Sequence, residues 1–213
     1  MGAVGILGGT FDPIHLGHLR PALEVYEALD LDEIRLIPCH VPPHRRRPMS
    51  DATDRLRMVE LAVDAEAGFR VDRRELERQG PSYSVDTLRS LRTDLGSSVS
   101  LCLIMGMDAF AGLPGWHRWD ELIELAHIVV THRPGSPASS DMDLGDWLDS
   151  VRSDDVSALH DRPHGHVLFC PVTQLDISAT DIRRRIRAGK SARYLLPDPV
   201  WHYIRERGLY HPG

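Results

Sequence analysis

The stretch Ala3-Val4-Gly5-Ile6-Leu7-Gly8-Gly9-Thr10-Phe11-Asp12-Pro13-Ile14-His15-Leu16-Gly17-His18 decides the fold. Its apolar run, Ala3–Leu7, stops at a glycine pair. Beyond the turn, Leu19, Ala22, Leu23 and Tyr26 recur at helical spacing and predict a helix over Leu16–Leu29. Strand, glycine turn and helix in that order form the opening of a βαβ unit. The glycines let the chain turn sharply and let a ligand approach its backbone. Asp12-Pro13 sets the passage from extended chain to helix. His15 and His18, three residues apart, share one face of the first helical turn.

The same alternation continues downstream. Short apolar runs at Ile34–Pro38, Phe69–Val71, Val99–Met105, Ile128–Thr131 and Val167–Cys170 read as strands. Amphipathic segments at Leu56–Ala65, Val85–Leu95, Ala179–Ala188 and Asp198–Arg207 read as helices. The pattern predicts an α/β, Rossmann-like doubly wound fold: a mostly parallel sheet with helices on both faces and right-handed crossovers. With 213 residues, the chain is expected to form a single domain over 1–213. Within it, 135–166 reads as a surface excursion, Pro/Ser-rich at first and then a short polar helix around Leu144, Leu148 and Val151. Residues 178–213 read as a C-terminal helical part of the same domain.

Hydrophobic content of 42% and charged content of 26% exclude a disordered or fibrous chain. A net charge of −6 gives no global positive field, so a nucleic-acid partner is not expected. Of the 25 basic residues only Lys190 is lysine, so any bound anion meets guanidinium forks and backbone amides. Cys39, Cys102 and Cys170 are widely spaced and odd in number, which fits a reduced, cytoplasmic protein. The opening residues enter a strand pattern directly, so no secretory leader is expected, and no apolar run is long enough for a membrane span.

In an open α/β sheet, ligands bind beyond the carboxyl ends of the strands, where loops run into helix N-termini. The first such junction carries amide groups, a positive dipole end and two imidazoles, a combination suited to a phosphate chain. A glycine pair or one histidine alone would be ordinary turn chemistry; all of them at one junction are harder to dismiss. Gly5, Gly8 and Gly9 lack the dinucleotide-fingerprint spacing, and Gly189-Lys190-Ser191 lacks the upstream glycine of a phosphate loop, where Arg184 stands. Ser178, Thr180 and Arg183 open a second helix with hydroxyl donors and a guanidinium one turn on. Ser178 with Asp181 also fits an N-cap. His160, His164 and His166 read as loop residues, and no metal site is expected.

Gly8-Gly9-Thr10-Phe11-Asp12-Pro13 with His15-Leu16-Gly17-His18 resembles the nucleotidylyltransferase signature. Further matches are Pro42-Pro43-His44-Arg45, Ser82-Tyr83-Ser84-Val85-Asp86-Thr87, Gly106-Met107-Asp108-Ala109-Phe110 with Trp116-His117-Arg118-Trp119, Arg133-Pro134, Ile177-Ser178-Ala179-Thr180-Asp181-Ile182-Arg183, and the tail Tyr194-Leu195-Leu196-Pro197, Tyr203-Ile204 and Leu209-Tyr210. Together they resemble the bacterial nicotinate-nucleotide adenylyltransferases over nearly the full chain. The sequence departs from many of those relatives at Cys39 and His40, where they carry asparagine.

The resemblance implies transfer of AMP from ATP to nicotinate mononucleotide, giving deamido-NAD and pyrophosphate, with Mg²⁺ arriving on ATP. The attacking phosphate is already anionic, so catalysis calls for positioning and charge neutralisation, with no general base. His18 is implied at the α-phosphate with His15 beside it. Gly8, Gly9, Thr10, Gly17, His44, Arg45, Ser178, Thr180 and Arg183 are implied around ATP, Gly17 leaving room for adenosine. Thr87, Asp108, Trp116, His117 and Arg133 are implied for the acceptor: amides at Thr87 and in the Trp116–His117 loop for the carboxylate, Trp116 on the ring, Asp108 on ribose, Arg133 on phosphate. The expected assembly is a monomer or weak homo-oligomer. Other acceptors of the superfamily (nicotinamide mononucleotide, phosphopantetheine, a cytidylyl acceptor) and a non-catalytic nucleotide-binding regulator are the competing readings.

Overall fold

A computed structural model describes residues 2–42, 48–134 and 144–211. In chain order the elements are β1 (Ala3–Gly9), α1 (Leu16–Ala28), β2 (Glu33–Pro38), α2 (Ala52–Val63), β3 (Phe69–Val71), α3 (Arg74–Glu77), α4 (Ser84–Leu95), β4 (Ser100–Gly106), α5 (Met107–Ala111), α6 (Leu122–Leu125), β5 (His127–His132), α7 (Gly145–Val151), α8 (Ala158–Asp161), β6 (Val167–Pro171), α9 (Ala179–Arg187) and α10 (Asp198–Glu206). The six strands lie in one sheet in the order β3-β2-β1-β4-β5-β6. The β1–β4, β4–β5 and β5–β6 pairs are parallel. That is the strand order of a doubly wound dinucleotide-type sheet.

Every strand expected from the sequence is present. α2 begins a turn earlier than its apolar spacing suggests, because the Asp51 carboxylate caps it by accepting the Asp54 N–H at 2.7 Å. The short polar helix expected inside 135–166 is α7. Residues 144–166 are nevertheless anchored: Leu144 and Leu159 are buried, Trp147 meets Trp119 edge-on at 5.1 Å, and Ser153 N–H donates to the Val167 carbonyl. Scattered apolar residues in a polar background carry too little periodicity to reveal such anchoring.

The chain gathers into two compact units. One comprises Met1–Leu7, Ala22–Arg35 and Tyr83–Thr173; the other comprises Gly8–Pro21, Leu36–Ser82 and Gln174–Gly213. The first has its core in β4, β5 and β6, with Leu101, Cys102, Val129, Val130 and Val167 against Leu88 and Leu91 of α4. Arg92 ties α4 to the chain before β5 and before β6. Its guanidinium donates to the Leu125 carbonyl at 2.8 Å and to the Pro163 carbonyl at 2.6 Å. The second unit packs Leu36 and Ile37 with Met58, Val59, Ile182, Ile186, Val200 and Ile204. There α10 is tied to α2 by the Tyr203 hydroxyl, which donates to Asp54 at 2.7 Å.

His127 opens β5 fully buried. Its Nε2 donates to the Arg162 carbonyl at 2.9 Å, and its Nδ1 accepts the His166 N–H at 3.2 Å. Both ring nitrogens are satisfied in the neutral form; a second proton would face the His166 donor. Burial lowers the imidazole pKa from 6.5 to about 4, aided by the charges of His166, His164 and Arg92 and opposed by the Arg162 carbonyl. The unfolded chain therefore binds this proton more tightly. The associated stability is complete above about pH 6.5 and is lost as pH falls toward 4, an effect on the order of 3 kcal/mol. Urea unfolding from pH 7 to pH 4 should show this slope in the wild type and a flatter one in His127→Gln. An unchanged slope would remove His127 from the acid response.

Candidate active site

The segment between β1 and α1 is held from several sides within the second unit. Phe11 adopts φ 48° and is buried, and its ring lies where a Cβ on Gly9 would come within 2.8 Å. Phe11 meets the His18 ring edge-on at 5.2 Å, and His18 stacks on His15 with 3.7 Å between centroids. The His15 ring in turn rests against Gly17: a Cβ there would stand 3.0 Å from His15 Nδ1 and 3.1 Å from the Ile177 carbonyl oxygen. The two histidines are thus side by side, as their spacing implies. His15 itself precedes α1, and its carbonyl accepts the His18 and Leu19 amides of the helix's first turn. The Leu16 N–H is taken by the Leu195 carbonyl at 3.0 Å.

Burial lowers the His15 pKa to about 4, so the ring is neutral at pH 7. Its Nδ1 is buried and makes no hydrogen bond among the described residues, an orphan of the kind that marks functional positions. His18 Nδ1 accepts the His15 backbone N–H at 3.3 Å. That bond assigns the His18 proton to Nε2.

Gly8 is exposed, and a Cβ there would meet nothing within 4 Å, so this face of the turn is open. The Thr10 carbonyl is fixed by Arg55, a buried residue of α2 whose guanidinium donates to Thr10 O at 2.9 Å and to Cys39 O at 2.7 Å. The Cys39 thiol donates to Thr10 Oγ1 at 3.7 Å, and burial raises its pKa. It is a packing group here, not a nucleophile. Ser178 caps α9 by accepting the Asp181 N–H at 3.1 Å, and Thr180 Oγ1 accepts from Arg183 at 3.1 Å. Arg183 also donates to the Asp12 carbonyl at 2.5 Å. The second unit therefore gathers Thr10, His15, Gly17, His18, Ser178, Thr180 and Arg183. His44 and Arg45 lie outside the described residues.

Sequence reading treated Asp12 only as backbone punctuation and passed over Ser50 and Arg55. The Asp12 carboxylate is a buried hydrogen-bond centre, and Pro13 lies three residues before α1. Gly17 makes room for the His15 ring and the Ile177 carbonyl.

The remaining candidates lie in the first unit, past the carboxyl ends of β4 and β5. Asp108 is exposed in the first turn of α5, Arg133 is exposed just after β5, and Gly106 and Thr131 are register partners on the two strands. His117 is exposed and lies on the Tyr83 ring at 4.3 Å. Tyr83 immediately precedes α4, which carries Thr87. The Thr87 N–H and hydroxyl both donate to the Tyr83 carbonyl, at 3.2 and 3.3 Å, so this amide belongs to the helix ladder. Trp116 is half-buried beside His117.

The second unit thus presents a strand–turn–helix junction with two stacked imidazoles, joined by Arg183 from the Ser178-capped helix α9. The family model described as cytidylyltransferase-like matches residues 6–185, and the chain belongs to that family. Within it, the chain belongs with the nicotinate-nucleotide adenylyltransferases. A protein of Methylococcus capsulatus named probable nicotinate-nucleotide adenylyltransferase is 52% identical over 208 residues, covering 97% of this chain and 99% of its own. One of Halorhodospira halophila with the same name is 52% identical over 207 residues, covering 97% and 94%. In fold, the chain is similar to the Plasmodium falciparum nicotinic acid mononucleotide adenylyltransferase complexed with NaAD, with a TM-score of 0.69, 16% identity and coverage of 99% and 98%.

The contact at Gly17 is testable without an activity assay. Gly17→Ala should push His15 off His18, because the Ile177 backbone carbonyl has little room to retreat, and should cost about 1–3 kcal/mol of stability. Imidazole proton resonances shifted by ring stacking in the wild type would then move toward their unstacked positions. Unmoved resonances would show that the glycine does not guard this contact.

Proposed function

We propose that the chain transfers AMP from ATP to nicotinate mononucleotide, releasing pyrophosphate and forming deamido-NAD, within NAD biosynthesis. The observation that carries this reading is the His15–His18 pair, stacked at 3.7 Å on the β1–α1 turn, in a chain about half identical to adenylyltransferases along its full length.

The acceptor phosphate attacks the ATP α-phosphorus in line, and pyrophosphate leaves. Charge accumulates on the non-bridging oxygens and the leaving group, so preorganised donors do the catalytic work. His18 offers its Nε2–H to the α-phosphate, with its orientation set by the His15 amide. His15 stays neutral and acts as a stacked support and donor on the phosphate chain. Thr10 and the backbone of Gly8 and Gly9 line the open face, while Ser178, Thr180 and Arg183 hold the outer phosphates. His44 and Arg45 are proposed to bind the ATP phosphates.

In the first unit, Trp116 is proposed to stack on the pyridine ring, amides at Thr87 and of the Trp116–His117 segment to receive the carboxylate, Asp108 to bind ribose, and Arg133 to bind the acceptor phosphate. Engaging the Thr87 amide requires the ligand to compete with the Tyr83 carbonyl. Mg²⁺ accompanies ATP on phosphate oxygens and water. The one carboxylate of the turn, Asp12, already faces protein donors. Residues 1–213 are proposed to work as a single cytoplasmic nucleotidylyltransferase domain, a monomer or weak homo-oligomer without nucleic-acid or membrane partners. No helix among the described residues is long and apolar enough to cross a membrane.

Pyrophosphate release measured side by side with nicotinate mononucleotide, nicotinamide mononucleotide and phosphopantetheine should favour the first; a preference for phosphopantetheine would contradict the reading. His18→Ala should lower turnover about 100-fold or more, as loss of a transition-state donor does, while leaving the melting midpoint nearly unchanged. Near-normal turnover in that variant would remove His18 from charge neutralisation.

A further inference from the structure

Asp12 draws donors from two distant parts of the chain onto one buried carboxylate. The Met49 N–H donates to Oδ2 at 2.8 Å, and the Ser50 N–H to Oδ1 at 3.2 Å. The Ser50 hydroxyl also donates to Oδ1, as does the Tyr210 hydroxyl at 2.7 Å. The Ser50 and Tyr210 oxygens lie 2.8 Å apart, closing a triangle. On its other side, the Asp12 carbonyl accepts Arg183 at 2.5 Å, and the guanidinium stands 3.8 Å from Oδ2. One residue thus joins the phosphate turn, the segment that follows 43–47, the α9 arginine and the C-terminal tyrosine.

Tyr210 reaches this point in a conformation that disfavours a bulky residue. Its φ is 64°, in the left-handed region, while only 7% of the residue is exposed. Such conformations persist where surrounding bonds over-determine them, and they gather at sites where placement matters. Burial and the nearby Asp12 charge raise the phenol pKa, so the hydroxyl remains a donor.

We propose that Tyr210 is a positioning residue for the phosphate site: through the Asp12 carboxylate its hydroxyl sets where Arg183 and the Met49–Ser50 segment stand against the β1–α1 turn. The inference rests on reading that turn as the ATP phosphate site. Without the hydroxyl, Oδ1 keeps only the Ser50 donors, the Asp12 side chain gains torsional freedom, and the carbonyl that fixes Arg183 moves with it. A tyrosine that merely fastened the C-terminal segment would affect stability and leave ATP affinity alone.

The test is ATP titration by calorimetry on the full-length wild type and Tyr210→Phe, followed by steady-state kinetics. Tyr210→Phe keeps the ring and removes one charge-assisted bond, so ATP affinity should fall about 10-fold. KM for ATP should rise in parallel, with kcat and the acceptor KM nearly unchanged and the melting midpoint shifted by a few degrees at most. Ser50→Ala, which removes the neighbouring donor from the same oxygen, should weaken ATP in the same direction and gives a second readout if Tyr210→Phe folds poorly. Unchanged ATP affinity in folded Tyr210→Phe, or equal weakening of both substrates, would overturn the proposal. A wild type that binds ATP but yields no deamido-NAD would contradict the proposed reaction while leaving the ATP comparison intact; a wild type that binds no ATP would overturn both.

Discussion

A buried carboxylate bonded from several directions keeps the β1–α1 turn in one shape, and the rest of the site depends on that rigidity. Asp12 is 4% exposed and receives Met49, Ser50 and Tyr210, while its carbonyl receives Arg183. Truncating such a group would strand several buried donors together, each at a desolvation cost of about 1–3 kcal/mol. Arg55 does the complementary work on the flank, holding the Thr10 and Cys39 carbonyls. Between these two anchors the chain runs through Gly9, Phe11, His18, His15 and Gly17, each ring resting on the next. Glycine occurs at both ends of that series because a Cβ would collide with the Phe11 ring at one end and the His15 ring at the other.

This rigidity bears on the electrostatic problem posed by the proposed reaction, in which two anionic reactants must meet. A protein of net charge −6 supplies no attraction at long range, so stabilisation has to be local and oriented. Fixed donors serve that purpose because they need no reorganisation as charge shifts in the transition state. Under the proposed reaction, neutral His15, held uncharged by burial, and His18, with its proton directed to Nε2 by a backbone amide, would serve as donors of this kind. Arg183 adds formal charge at a place fixed by Asp12 and Thr180.

The strands, the long helices and the stacked histidines were legible in the sequence because each rests on a short-range regularity. Buried runs such as Ser100–Gly106 have no polar face to confuse the pattern, and a spacing of three brings His15 and His18 together. The Ser178 cap was legible for the same reason. Bonds between distant parts of the chain were not: nothing local tells that Tyr210 donates to Asp12, or that Arg55 of an apparently amphipathic helix points inward at backbone carbonyls. Tyr210 and Asp12 were visible only as letters in motifs. Gly17 was visible as a necessary small residue, but its neighbour, the Ile177 carbonyl, comes from a segment 160 positions later.

Hydrogen–deuterium exchange with and without a non-hydrolysable ATP analogue tests the central claim most directly. The account predicts slowed exchange in the β1–α1 turn and first turn of α1, residues 10–20, together with the start of α9, residues 178–183. Unchanged exchange in both segments, with protection appearing elsewhere in the chain, would contradict it.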